Sequence, residues 1–264
     1  MTRTLPWVMV ALLCLLGVAG LVSGHDVVAA VDADALGLGP SAAHPLGTDG
    51  LGRDVSARLA VAISGIAGPS ALAWTVALAS GISSGCLHAL GPPPLRAAAR
   101  APMELIGAVP GLVLVLLLCV VGDGGRYTIG FGVGLAVAPA VAGDVTTVLR
   151  DLHARGVFEA GRVHGVGWPA LIGRHALWGG CRRRLLAHAL DAVVWVAALE
   201  ATLSYLGGFG IQEPTPSLGN MLSHGLGSPT AAAGTWLAPG LALACLAWSL
   251  DQLAGRARGG SRAR

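Results

Sequence analysis

The sequence predicts an all-α membrane protein with six transmembrane helices and both termini in the cytoplasm, and three observations carry that expectation. Hydrophobic residues make up 54% of the 264 residues and charged residues only 12%, about half the charge of an ordinary globular domain. Mean hydropathy is +0.69, and too little charge remains to coat a water-exposed surface. Apolar stretches of roughly 20 residues, the length that crosses a bilayer, recur along the chain. The basic residues gather in every other connecting segment, as the positive-inside rule requires of cytoplasmic loops.

The first span is the run Leu5–Val22 between Arg3 and Asp26, and residues 1–23 are assigned to it. A cleaved signal peptide with Ser23 and Gly24 near the cut is the alternative reading of this start. Residues 24–60 form an extracytoplasmic segment, and residues 61–253 hold the remaining five spans. Span two covers about 61–87, within the uncharged stretch between Arg58 and Arg96. Span three lies between Glu104 and Asp123 and contains Gly111–Val121, and span four lies between Arg126 and Asp144. Span five runs over about 185–206 with Asp191 and Glu200 inside it, and span six over about 235–253, leaving 254–264 as a cytoplasmic tail.

With the termini inside, fourteen of the seventeen arginines fall on the cytoplasmic side, and only Arg53, Arg58 and Arg126 fall outside. The outer segments instead collect Asp26, Asp32, Asp34, Asp49, Asp54, Asp123 and Glu213. All seventeen basic residues are arginine. A chain without lysine has neither a P-loop lysine for ATP phosphates nor a Schiff-base lysine, so any ATP that drives it binds elsewhere. The net charge of +3 gives no electrostatic footprint for nucleic acid. The five cysteines include no C-x-x-C pair and read as small apolar groups.

Two connecting segments are rich in information. In the outer segment over about 207–234, Glu213-Pro214-Thr215-Pro216-Ser217 enforces an extended, turn-rich chain. The inner segment, about 150–184, alternates apolar and basic residues. It reads as short amphipathic helices broken at Gly165, Gly167 and Pro169. Such helices suit either an anionic lipid surface or a protein partner, and the chemistry alone leaves both open.

Four ordered stretches carry a family resemblance. They are His44-Pro45-Leu46-Gly47-Thr48-Asp49 with Leu51-Gly52-Arg53-Asp54-Val55, and Val109-Pro110-Gly111-Leu112-Val113-Leu114. Next come Glu159-Ala160-Gly161 with Gly165, and then Glu200 to Gly207 with Pro214 to Leu222. Together they resemble the "C" permease subunit of dipeptide, oligopeptide and nickel ABC importers, collinearly from residue 44 onward. The third stretch resembles the EAA loop, E-A-A-x-x-x-G, between spans four and five. Three departures stand out: Gly161 replaces the third EAA residue, Ala176-Leu177-Trp178 replaces the proline-ended close of the loop, and the outer stretch Gly207-Gly208-Phe209-Gly210 is one residue longer than the common pattern.

The resemblance implies a transporter subunit rather than an enzyme. Its cytoplasmic EAA loop (Glu159, Ala160, Gly161 and Gly165) would couple to a cytoplasmic ATPase. The implied partners are a homologous second permease subunit, two cytoplasmic ABC ATPase subunits, an extracytoplasmic solute-binding protein and the lipid bilayer. No cofactor is expected in this chain, with ATP and Mg held by the partner ATPase. The implied solute is a di- or oligopeptide. The alternatives are nickel or another metal chelate, or a degenerate permease with a structural or regulatory membrane role.

Asp191 and Glu200 are ionisable groups within a span and so are functional candidates by default. Nine residues apart, they stand about 180° from each other around a helix and form no shared site. Each is either a packing or hydrogen-bonding residue or part of the translocation path. For Asp191, Arg184 or water is the candidate partner. The eight histidines show no ligand-like short spacing and assign no metal site. Gly130-Phe131-Gly132-Val133-Gly134 reads as a surface for close helix approach. An intramembrane hydrolase is the rival enzyme reading, but no G-x-S-x-G places a nucleophile.

Overall fold

A computed structural model describes residues 4–22, 31–227 and 233–259. Arg3, Ser23, Gly24, His25, Asp26, Arg262 and Arg264, used above for the signal-peptide reading and for orientation, lie outside the described residues. The described chain is helical, with one isolated β-bridge between Thr48 and Asp54. Five helical stretches are long and apolar enough to cross a membrane, and a bent pair makes a sixth when it is counted as one span.

Helix α1 is Leu5–Val22, about 27 Å long at 1.5 Å per residue and close to the hydrocarbon thickness. Trp7, Leu12, Leu15 and Val18 are exposed along it, as suits a helix that meets lipid. Helix α2 is Val55–Gly65 and runs almost directly into α3, Ala67–Leu90. Span two therefore begins at Val55 rather than at residue 61. Asp54 caps α2, its side chain accepting from the Ser56 amide at 2.8 Å. Arg58, which marked the edge of the span on charge alone, is a buried residue of α2 whose charge is met by acids described below.

Span three differs most from the expectation. Pro93–Ala108 forms helix α4 and Gly111–Val121 forms α5, with a bend of 96° between them. Pro110 is the cause: the residue before a proline is pushed out of the helical region, and Val109 sits at φ −87, ψ 128. Eleven residues give α5 about 16 Å, roughly half a bilayer core, so α5 cannot span by itself. Helix α4 carries Arg96, Arg100 and Glu104 at four-residue spacing and has no buried residue, the pattern of a helix lying at an interface. Its start also explains Gly91-Pro92-Pro93-Pro94, since proline at the first helical positions needs no intrahelical N–H partner.

Helix α6 is Arg126–Ala154, longer than the expected fourth span, and α7 is the short Val157–Val163. Beyond it, Trp168–Ala170, the π-helical Leu171–Cys181 and Arg182–Leu206 form one uninterrupted helical element of 39 residues, α8. Where a proline would have stopped the loop, Ala176, Leu177 and Trp178 let the helix run on, so the fifth span starts well before residue 185. At about 58 Å, α8 is nearly twice the hydrocarbon thickness. Helix α9 is Leu218–Gly227 and α10 is Gly234–Gly259.

The chain divides into two compact units. In the first (Met1–Ser70, Leu118–Gly130 and Val193–Gln252), α1 packs on α2 where Gly20 faces the Ala60 carbonyl and Gly17 faces Ile63. In the second (Ala71–Leu117, Phe131–Ala192 and Leu253–Arg264), Gly81 and Gly85 of α3 meet Val141 and Val145 of α6. An added Cβ would lie 2.7 Å and 2.8 Å from those valines. Small residues four apart give such close approach where no hydrophobic effect drives helices together. Gly134 does the same, a Cβ there falling 2.6 Å from the Ala73 carbonyl oxygen.

Candidate functional site

Helix α7 carries the expected coupling residues, and its ends explain their spacing. Its C-terminus closes with two hydrogen bonds, Val166 N to Gly161 O at 2.9 Å and Gly165 N to Arg162 O at 3.0 Å. That pair is a Schellman closure, which needs a left-handed residue just past the cap. Gly165 fills it at φ +71, where a side chain would be strained although nothing lies within 4 Å. The glycine six positions after the glutamate therefore ends the helix.

Gly161 has an internal reason too. A Cβ there would sit 2.6 Å from the Leu171 side chain, so α7 lies against the start of α8. Phe158 is 2% exposed and belongs to a core cluster with Leu171, Ala77, Val141, Val145, Leu149, Ala176 and Cys181. Its ring stacks on Trp168 at 5.2 Å between centroids. The helix is thus clamped on one side to the packed spans. On the other side Glu159, Ala160 and Val163 are exposed, and these positions three and four apart share a face. Glu159 lies 3.6 Å from His153 Nδ1, with both side chains well exposed, a pair worth little to stability.

The two acids of α8 have separate environments. Asp191 pairs with Arg258 of α10, not with Arg184 as expected. Arg184 is taken instead by Asp144 at 2.9 Å, and His188 lies 2.9 Å from the other oxygen of Asp144. Sequence reasoning passed over Asp144 because it served only as the edge of a span. The four-residue spacing of Arg184 and His188, which puts both on one face, was the available signal. Glu200 is 3% exposed, with Oε1 4.0 Å from Arg126 Nη2 and Oε2 without a hydrogen-bond partner.

The outer motif folds into a charged knot that sequence reasoning did not single out. Asp49 Oδ1 accepts from the backbone amides of Leu51 (2.9 Å) and Arg53 (3.0 Å). Arg53 Nε donates to Asp49 Oδ2 at 2.7 Å and Arg53 Nη1 to Glu213 Oε2 at 2.6 Å. Arg58 Nη2 donates to Glu213 Oε1, also at 2.6 Å. Thr48, fully buried, accepts from the Leu38 amide and donates to the Ala35 carbonyl. Ser217 and Asn220 cap each other reciprocally, Asn220 also donating to the Thr215 carbonyl at 2.9 Å. The two family-like outer stretches, 44–55 and 214–222, are thus brought to one place by Glu213. Asp123 stands just before α6: its Oδ1 accepts from the Thr128 hydroxyl and the Gly125 amide, and these bonds hold its carboxyl below the usual aspartate value.

Among the described residues no group of three or more His, Cys, Asp or Glu side chains is placed to hold a metal ion. No family model matches the sequence. A Brucella suis chain described as a putative peptide permease protein is 31% identical over 201 residues, 73% of this chain and 63% of that relative. This chain therefore spans just under two thirds of the length of such relatives. The glutathione transport system permease of Pectobacterium atrosepticum is 28% identical, over 80% of this chain and 70% of the relative. The probable D,D-dipeptide transport system permease of Escherichia coli is 28% identical over 85% and 74%. A chain of the methionine ABC transporter, solved in inward-facing conformations, shares the fold with a TM-score of 0.55 at 15% identity. That likeness covers 76% of this chain and 95% of the other. With several helices long and apolar enough to cross a membrane and likeness over most of its length, this multi-pass inner-membrane protein is similar to these transport permeases and shares the fold of an ABC transporter permease.

Proposed function

We propose that the chain is one permease half of an ATP-driven importer of short peptides, coupled to a cytoplasmic ATPase through α7. The observation that carries the reading is the two-sidedness of that helix. Phe158 and Leu171 lock it into the core that also holds α3 and α6, while Glu159, Ala160 and Val163 stay exposed. A short helix held on one side and open on the other turns motion of a docked partner into tilt of the spans. Glu159 stands in the first turn, where the helix dipole favours an acid, and it would meet a basic group of the ATPase. Ala160 and Val163 supply the apolar part of the contact, and Gly161 and Gly165 fix the helix's seat and its end.

The arginine distribution supports a cytoplasmic position for α7 and both termini. The remaining partners follow from the same reading: a second homologous permease, two ATPase subunits and an extracytoplasmic solute-binding protein. ATP and Mg bind on the ATPases, and this chain holds no cofactor. Peptides are the favoured solute because relatives carry peptide, dipeptide and glutathione names. Asp191 and Glu200 act as packing residues through Arg258 and Arg126 rather than as one paired-carboxylate site.

The test is to tag the chain, solubilise native membranes gently and identify what co-purifies. A second permease and an ATPase should be recovered, and the ATPase should be lost with Glu159→Lys plus Gly165→Asp while the variant stays in the membrane. Recovery of neither partner by the intact, folded chain refutes the importer reading and favours a degenerate permease. An ATPase retained by the double variant refutes the coupling role of α7.

A further inference from the structure

Arg182, Arg183 and Arg184 stand together just before the apolar stretch 185–206 of α8. Asp144 takes Arg184. Arg182 is exposed, and among the described residues it has neither an ion pair nor a hydrogen bond. Its guanidinium lies instead 5.8 Å from the ring centroid of Trp178, within cation–π range. Beside it runs a groove of about 540 Å³ between α3 and α8, inside the range of roughly 300–1,000 Å³ usual for ligand sites. Trp74, Leu177, Trp178, Leu185 and Leu186 form its apolar walls. Arg182 and Arg183 complete the lining, and among the described residues no acid joins them. All of these residues belong to the second compact unit.

The groove thus joins two chemistries. Its cations come where the apolar part of a span ends, the usual depth of a membrane surface. Trp178 and Leu186 are well exposed and offer apolar surface there. Trp74 lies well inside the apolar stretch Val55–Leu90, about 24 Å along the helix from its end, so the apolar wall reaches into the hydrocarbon. We infer that the groove holds one anionic phospholipid of the bilayer, its phosphate against Arg182 and an acyl chain along Leu186 and Trp74. A phosphate gains charge-assisted bonds from a guanidinium. A zwitterionic lipid would bring its own ammonium towards the arginines, and a free phosphate would leave the apolar wall bare. The inference stands on the groove and does not rest on transport, so its failure leaves the importer reading to its own test.

The experiment uses the full chain in a mild detergent, titrated with dioctanoyl phosphatidylglycerol, dioctanoyl phosphatidylcholine or glycerol phosphate and followed by native mass spectrometry. A single phosphatidylglycerol should be retained per chain, in preference to both other probes. Arg182→Gln removes the cation without breaking an ion pair. It should weaken retention roughly fivefold, the yield of one basic residue at an anionic lipid. Gly173 lines the groove and has nothing within 4 Å of an added Cβ, so Gly173→Leu narrows the groove without a clash and should weaken retention as well. Arg174→Gln removes an exposed charge outside the lining and should change little. Equal retention of phosphatidylcholine overturns the anionic assignment, and equal binding of glycerol phosphate overturns the lipid. An equal loss from Arg174→Gln, or no loss from Gly173→Leu, overturns the location. Retention of no probe overturns the site, and expulsion of the lipid wherever a second permease co-purifies assigns the groove to a protein partner instead.

Discussion

Replacing Glu213 by alanine tests whether the outer motif is held by charge. Glu213 accepts from Arg53 and Arg58 at 2.6 Å each, and the arginine side chains are only 5% and 2% exposed. Removing it leaves Arg58 in low dielectric with Asp49 3.7 Å away as its nearest acid, while Arg53 keeps its 2.7 Å bond to Asp49. Breaking a buried pair from one side costs about 3–5 kcal/mol. The Glu213 side chain is itself 25% exposed, so water partly refills its place and the low end, about 3 kcal/mol, is expected. The matched control is Asp191→Ala, which removes an acid of similar exposure, 27%, from an arginine that is 47% exposed. Freed Arg258 reaches water, and the loss stays within about 1 kcal/mol. Thermal unfolding of the purified chain in detergent, followed by tryptophan fluorescence, compares the two directly. Glu213→Gln, which keeps an acceptor oxygen, should fall between them. Equal losses for Glu213→Ala and Asp191→Ala would refute the argument that burial of the stranded partner sets the cost.

Three further outcomes are expected. Gly134→Leu should destabilise the chain by about 2 kcal/mol or more through overpacking, because its Cβ would press on the Ala73 carbonyl. Gly143→Leu, which has nothing within 4 Å, should change the same melting curve little. Gly165→Ala should cost about 1 kcal/mol from left-handed strain alone, whereas Gly161→Leu, driven into Leu171, should detach α7 and raise its sensitivity to limited proteolysis. Asp123 should titrate below an ordinary aspartate when followed by carbon NMR of its carboxyl, and Thr128→Ala should raise its value. Because the folded-state value is depressed, its contribution to stability is complete above the unfolded-state value and fades as pH falls through the folded-state value. Asp123→Asn should remove that acid dependence.

The sequence by itself determined the membrane character, the positions of the long apolar helices, the kinship and the site of the short loop helix. Each of these depends on local composition or on a contiguous motif: eighteen uncharged residues in α1, the spacing from Glu159 to Gly165, the arginines clustered between spans. The tertiary structure decided which charges meet. Asp191 finds Arg258, 67 residues away, and Arg53 finds Glu213, 160 residues away; no local pattern encodes a partner at that separation. It also decided where spans begin and break. Charge alone put Arg58 outside the membrane domain, because an unpaired arginine would be too costly inside it. Glu213 and Asp49 supply the countercharge and let the span begin with α2 at Val55 rather than at residue 61. Span three read as continuous because hydropathy averages over Pro110, whereas the backbone does not. The fifth span read as starting late because its arginines and histidine resemble a loop, yet with no proline after Pro169 nothing stops α8 from running from Trp168 to Leu206.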